Sequence, residues 1–257
     1  MGLIGAIIGD ISGSQFEFDR CINPQNCDLF SEQCMFTDDT VMSIAIKYAI
    51  DNNINYDIAM QTIGKRYPDC GFGGNFVDWI LSDSPKPYNS YGNGSAMRVS
   101  YIGECYSDRN KVIEEANKSA IVSHNHPEGI KGAIVTAVCI WMVKNGASKK
   151  DIYDYILNEY PIEDYNYNIT KSIKELTNNY IWNETCMGSI SVAMRCFYES
   201  ESYESFLRNV FSLDCDCDTL CAIGGAVAES YYKTTELDNK KIIDLFLDDY
   251  LKNILEV

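Results

Sequence analysis

Apolar residues recur along this chain at intervals of three and four, the spacing of one face of an α-helix. Val41, Ile44, Ala45, Tyr48 and Ala49 share such a face, as do Ile130, Ala133, Ile134, Ala137, Val138 and Trp141, and later Ile223, Ala226, Val227 and Tyr231. The same periodicity predicts helices over roughly 2–10, 55–66, 75–82, 110–123, 149–158, 169–178, 188–199, 202–212 and 239–254. Some starts are labelled. Ser148 precedes KKDIYDYIL and Ser202 precedes YESFLRNVF, each a hydroxyl able to accept from the unpaired amides of a first turn. Strand signals are nearly absent: β-branched alternation never lasts, and Asn93 and Gly94 sit in a glycine-rich loop rather than between alternating runs. The expected fold is therefore an all-α bundle, of one large domain or two small ones, with no linker or low-complexity tract to mark a seam.

The polar stretch from Tyr67 to Met97 is too long for a plain connection between helices, which raises the odds that it shapes a site. Composition narrows what such a site could take. Thirty-seven acidic residues against 21 basic ones give a formal charge of −16, which repels polyanions and argues against nonspecific nucleic-acid binding. A cation or a small molecule is the better expectation as partner. The 11 cysteines are odd in number and irregular in spacing, and Cys139, Cys196 and Cys221 fall in apolar helical runs, which fits a reducing cytoplasm. No stretch is long enough to span a membrane, and the start lacks the basic region of a signal peptide. These features predict a soluble cytoplasmic protein.

Two acidic stretches stand out. FTDDTVM (36–42) sets Thr37, Asp38, Asp39 and Thr40 directly before an apolar helix, and DCDCDTLCAI (214–223) does the same with Asp214, Asp216, Asp218 and Thr219. For one helix start alone, capping explains the pattern, because side-chain oxygens accept from the first amides and negative charge suits the positive end. Two such starts can bring four carboxylates and two hydroxyls into one small volume, where mutual repulsion calls for cations. Oxygen-only donors favour hard ions such as Mg²⁺, Mn²⁺ or Ca²⁺ over zinc. Two histidines in the whole chain exclude a histidine-rich metal site, and the second stretch lacks the central glycine and twelfth-position Glu of an EF-hand. A soft-metal site at Cys215, Cys217 and Cys221 is a weaker alternative, since Cys221 would face the apolar side of its helix.

GAIIGDISGSQFE (5–17), FTDDTVM (36–42), YNSYGNGSAMRVS (88–100), SHNHPEGIKGA (123–133) and DCDTLCAIGGAVAESYY (216–232) follow one another in an order that resembles the ADP-ribosylglycohydrolase family. The likeness covers about 1–235. It implies an all-α, single-domain orthogonal helical bundle over 1–257 with a centre of two Mg²⁺ (or Mn²⁺) at convergent helix N-termini and loops, cleaving the bond between ADP-ribose and its acceptor. By resemblance the metal ligands are Thr37, Asp38, Asp39, Asp216, Asp218 and Thr219, with Glu17, Asp38 and Asp39 as catalytic groups. Substrate would be bound by Ser90, Tyr91, Gly92, Asn93, Gly94 and His124, with ETCMGSI (184–190) on the adenosine side. Where relatives usually read Gly-Gly before the second acidic block, this chain has Asp214 and Cys215, and Tyr101 stands where a proline is common.

Residue types alone leave several of these roles open. Glu17 between two phenylalanines reads, from residue type alone, more readily as a surface acid or a partner of Arg20 than as a site residue, and only the resemblance reverses that. His124 and His126 suit a loop or helix-cap role before Pro127 as well as ligand contact. Arg98 leans towards holding its loop, and Asp78 is a weaker candidate acid. NSYGNGSAMR has the small residues of an anion cradle, with a tight turn as the plain alternative. Hydrolysis at an anomeric carbon needs a held ribose, a water and a proton-transfer group, for which Glu17 is the candidate. Rival functions are hydrolysis of a small conjugate such as O-acetyl-ADP-ribose, or ADP-ribose binding without catalysis.

Overall fold

The structure, a computed structural model, describes residues 2–256. It is all-α. In chain order the helices are α1 (Leu3–Ser14), α2 (Asp38–Asn52), α3 (Tyr56–Gly64), α4 (Gly74–Leu81), α5 (Gly94–Met97), α6 (Ser100–Cys105), α7 (Arg109–Ile121), α8 (Pro127–Lys144), α9 (Lys149–Glu159), α10 (Ile173–Asn179), α11 (Cys186–Tyr198), α12 (Tyr203–Phe211), α13 (Cys217–Tyr232), α14 (Asn239–Phe246) and α15 (Asp249–Leu255). Among the described residues the extended pairing is limited to one isolated bridge between Gly92 and Thr185.

α13 is the axis of the molecule. Every residue from Cys217 to Ser230 is buried, so both the acids at its start and the apolar run behind them lie inside. α1 lies against it backbone to backbone. A Cβ at Gly9 would stand 2.2 Å from the Cys221 carbonyl oxygen, and one at Gly13 would stand 2.7 Å from the Asp218 Cα. At the far end of the seam, a Cβ at Gly5 would meet the Gly225 carbonyl at 2.5 Å. Only glycine permits this approach, which fixes the register of α1 on α13 to a fraction of a turn. α1 has no cap of its own. Glu229, near the far end of α13, accepts from the Gly2 and Gly5 amides at 2.6 and 2.7 Å and satisfies the start of α1 instead.

Several boundaries differ from the periodicity. The helix expected over 2–10 runs on to Ser14, so Asp10 sits mid-helix and buried. The helix expected over 239–254 is two, because Leu247 is extended and Asp248 accepts from Leu251 N to open α15. The helix expected over 169–178 starts only at Ile173, after a Ser172–Glu175 capping box. α6 carried no periodic signal strong enough to predict it. All eleven cysteines are free thiols, and among the described residues no helix is long and apolar enough to cross a membrane.

Candidate metal centre and its cavity

The two acidic helix starts meet. Thr37 caps α2 by accepting from Asp39 N, and Thr219 in the first turn of α13 donates through Oγ1 to Asp39 Oδ2 at 3.1 Å. Two groups of carboxylates result, each with its oxygens within 4.8 Å of one another: Asp10, Asp39 and Asp218, and Glu17, Asp216 and Asp218. Asp218 belongs to both. Asp38 is outside these groups but lines the same cavity, its amide tied to the Cys70 carbonyl at 2.8 Å. Glu17 and Asp10 enter the cluster because the glycine seam places the end of α1 over the start of α13.

Asp10 is the residue that sequence reasoning missed. Its carboxylate accepts from Thr37 N (2.9 Å), Thr37 Oγ1 (2.6 Å) and Thr40 N (3.1 Å), and closely from Thr40 Oγ1. Four bonds fill the acceptor capacity of one carboxylate. Asp10 therefore serves as the cap of α2 supplied from another helix, and it aims Thr37 and Asp39. The one readable signal was an acid inside an otherwise apolar helical run.

Burial and then mutual repulsion push the acids upward. Asp38, Asp39 and Asp218 are held well above the usual carboxylate range, and Asp216 is raised chiefly by burial. Glu17 is lifted to about 7 by burial, Asp216, Asp10 and Glu184. No base offsets this at close range, so the cluster is unfavourable without a cation. Asp39 Oδ1 makes the point locally: it is buried and has no hydrogen-bond partner. An all-oxygen donor set with an orphaned carboxylate oxygen fits a hard divalent ion. The cysteine alternative does not fit, because the candidate metal-holding groups among the described residues are all carboxylate.

The cluster opens into a cavity of about 510 Å³, the size of a nucleotide site. Ser90, Gly92, Asn93 and Gly94 line it, and Asn93 Nδ2 donates to Asp216 Oδ2 at 2.7 Å, tying this loop to the acids. The loop is stitched on its other side to the start of α11, with Asn93 N on the Glu184 carbonyl and Cys186 N on the Tyr91 carbonyl. Tyr91 is the exception: its ring lies edge-on to His126, 5.1 Å away, and is not part of the lining. The two histidines divide the roles. His126 caps α8 by accepting from Glu128 N, whereas His124 lines the cavity beneath Gly94 and is kept neutral by burial and by Arg98.

Gly71, Gly73 and Gly74 also line the cavity, at the start of α4, and were not singled out from sequence. Gly73 and Gly74 are exposed and nothing lies within 4 Å of a Cβ at either, so a ligand can approach this backbone closely. Arg98 is buried and donates to the Ser119 carbonyl and Ser123 Oγ, which holds its loop against α7. Arg20 donates to the Ser212 carbonyl rather than pairing with Glu17. Asp78 is exposed and outside the lining. Asp214 is exposed, Cys215 is buried, and neither has a positive φ, so the structure needs no glycine there and the added charge faces solvent. Tyr101 bonds Asp51, away from the cavity.

The model of the ADP-ribosylglycohydrolase family matches residues 1–253. The chain is 24% identical to ADP-ribosylhydrolase ARH3 of Xenopus tropicalis, over 90% of this chain and 85% of that protein. It is 26% identical to ADP-ribosylhydrolase ARH3 of Homo sapiens, over 90% and 84%. A putative ADP-ribosyl glycohydrolase of Acanthamoeba polyphaga mimivirus is 23% identical over 91% and 86%. Among solved structures, an ADP-ribosylglycohydrolase-related protein complex superposes with a TM-score of 0.74 at 17% identity, covering 98% of this chain and 93% of that one. That likeness is one of fold.

Proposed function

The chain belongs to the ADP-ribosylglycohydrolase family, and on that premise we propose that it is a divalent-metal-dependent hydrolase of the bond between ADP-ribose and an acceptor. The observation that carries this reading is Asp218, shared by two carboxylate groups at the meeting of two helix starts on the floor of a nucleotide-sized cavity. Thr37, Asp38, Asp39, Asp216, Asp218 and Thr219 would hold two ions, Mg²⁺ or Mn²⁺, with the whole chain acting as one domain around them. Such ions, when bound, supply positive charge that grips ribose hydroxyls and acidifies a water.

The chain's own groups do the rest. The exposed backbone of Gly73 and Gly74 at the start of α4, with the Ser90–Gly94 loop, would offer donors to a diphosphate. Asn93 couples that loop to Asp216, so phosphate binding and acid placement are one geometry. Asp10 holds Thr37 and keeps Asp39 facing inward. Glu17, half-buried at the edge of the acids, is placed to accept a proton from the attacking water or deliver one to the leaving acceptor. The anomeric carbon–acceptor bond breaks, water gives its hydroxyl to the sugar, and its proton goes to the acceptor.

The test is release of free ADP-ribose from ADP-ribosylated peptide. Turnover that requires Mg²⁺ or Mn²⁺ and stops with EDTA is the expected result. Equal turnover in chelated protein would remove the metals, and ADP-ribose binding without release from any acceptor would leave a binding protein.

A further inference from the structure

A line of buried hydrogen bonds runs from Arg98 to His124, and its direction can be read by counting protons. Arg98 donates through Nη2 to the Ser119 carbonyl at 2.6 Å and to Ser123 Oγ at 3.1 Å, while its Nε has no partner. Burial pushes the guanidinium down only to about 10, so it stays charged. Ser123 is wholly buried, and among the described residues its hydroxyl has one further neighbour, His124 Nδ1 at 2.8 Å.

A guanidinium can only donate, so Ser123 Oγ must accept from it. The single hydroxyl proton of Ser123 then goes to His124 Nδ1, which must be bare to receive it. The alternative, with the imidazole proton on Nδ1, would leave the Ser123 hydroxyl proton without an acceptor in a site closed to water. Protonation of both nitrogens is opposed by burial and by the charge of Arg98. The ring is also held in place: its backbone amide donates to the Ala120 carbonyl at 2.8 Å, and the rings of Tyr88 and Phe76 flank it at 5.8 and 6.2 Å. The other nitrogen, Nε2, lies beneath the glycine loop, 3.2 Å from where a Cβ at Gly94 would stand. Every bond in the line therefore donates towards the cavity, and each polarises the next.

We propose that Arg98 and Ser123 are positioning residues that lock His124 as the tautomer protonated on Nε2, which gives the cavity a neutral N–H donor for an acceptor oxygen of the bound nucleotide. The lock is a property of the free protein. The identity of the acceptor rests on the ADP-ribose reading of the cavity.

The experiment is ¹⁵N nuclear magnetic resonance of the imidazole rings at neutral pH, in the full chain. With two histidines in the sequence, His126→Asn identifies the signals of His124. The expected pattern is a pyridine-like Nδ1 and a pyrrole-like Nε2, with this tautomer favoured by about tenfold or more. Ser123→Ala should collapse the pattern towards a mixture and weaken ADP-ribose binding in Mg²⁺, by calorimetry, about tenfold; Ser123→Thr, which keeps a hydroxyl, should bring both back to within about threefold. A protonated Nδ1 or an even mixture in wild type overturns the lock, whether or not either substitution folds. So does Ser123→Ala with the wild-type pattern and affinity. Wild type that shows the expected pattern yet takes no ADP-ribose supports the lock and overturns the nucleotide reading instead.

Discussion

Two polar cavities of similar volume are built around buried carboxylates, and they solve the same electrostatic problem in opposite ways. The larger, of about 640 Å³, lies between α2, α3 and α7 and contains Glu115. Tyr56 Oη donates to Glu115 Oε2 at 2.6 Å, and Lys111 and Lys118 each reach Oε1 at 2.9 Å. Burial alone would raise this acid, but those three donors outweigh it and hold it at about 2. The cavity at the start of α13 has more acids and, among the described residues, no lysine or arginine bonded to them, and there Asp38, Asp39 and Asp218 are pushed up. A carboxylate that the protein satisfies itself is structural. A set that the protein leaves in conflict, and whose Asp39 Oδ1 has no partner, is waiting for charge from outside.

Substitutions at equivalent points should separate the two cavities. The largest effect is expected at Asp218→Asn, which should lower metal-dependent ADP-ribose release by about a thousandfold or more. In chelated protein the same change should raise Tm, because it removes a repelling charge; a fall in Tm would mean that the acids are not in conflict. Gly9→Ala should destabilise by about 3 kcal/mol, or roughly 6–12 °C in Tm, since its methyl meets backbone rather than a movable side chain. It should also abolish stabilisation by Mg²⁺, as α1 carries Asp10 and Glu17, while leaving the Glu115 cavity intact.

Glu115→Gln should behave in the opposite sense to Asp218→Asn, losing about 2 kcal/mol of stability and no Mg²⁺ response, read by urea unfolding with and without the ion. The sign with pH follows from a pKa held below its ordinary value of about 4.5. The contribution of Glu115 is present above that value and fades as pH falls towards about 2, so wild type and Glu115→Gln should converge in stability over that window. The smallest effect is expected at Asp214→Gly, within about 0.5 kcal/mol in stability and with unchanged Mg²⁺ affinity by calorimetry, because that carboxylate faces solvent.

The acidic helix starts were legible because their first bonds are local, Thr37 accepting from Asp39 N and Asp218 Oδ1 accepting from Thr219 N, and the apolar face that follows is periodic. Asp10 was not. Its partners, Thr37 and Thr40, lie 27 and 30 residues on, and nothing near it in the chain distinguishes it from a helix end. The same distance hid the glycines at the start of α4, which read only as part of a long polar stretch. Nor could the sequence show that Tyr91, within the cradle loop, turns its ring onto His126 while its neighbours line the cavity.

By itself, then, the order of residues determined which segments are helical, where most begin, and that two of them begin with acids, since each of these depends on groups within about four positions of one another. Whether those acids share one volume was decided in three dimensions. It turns on α1 and α13 touching through Gly5, Gly9 and Gly13, a contact between segments at opposite ends of the chain that only backbone-to-backbone packing could bring within bonding range of an ion.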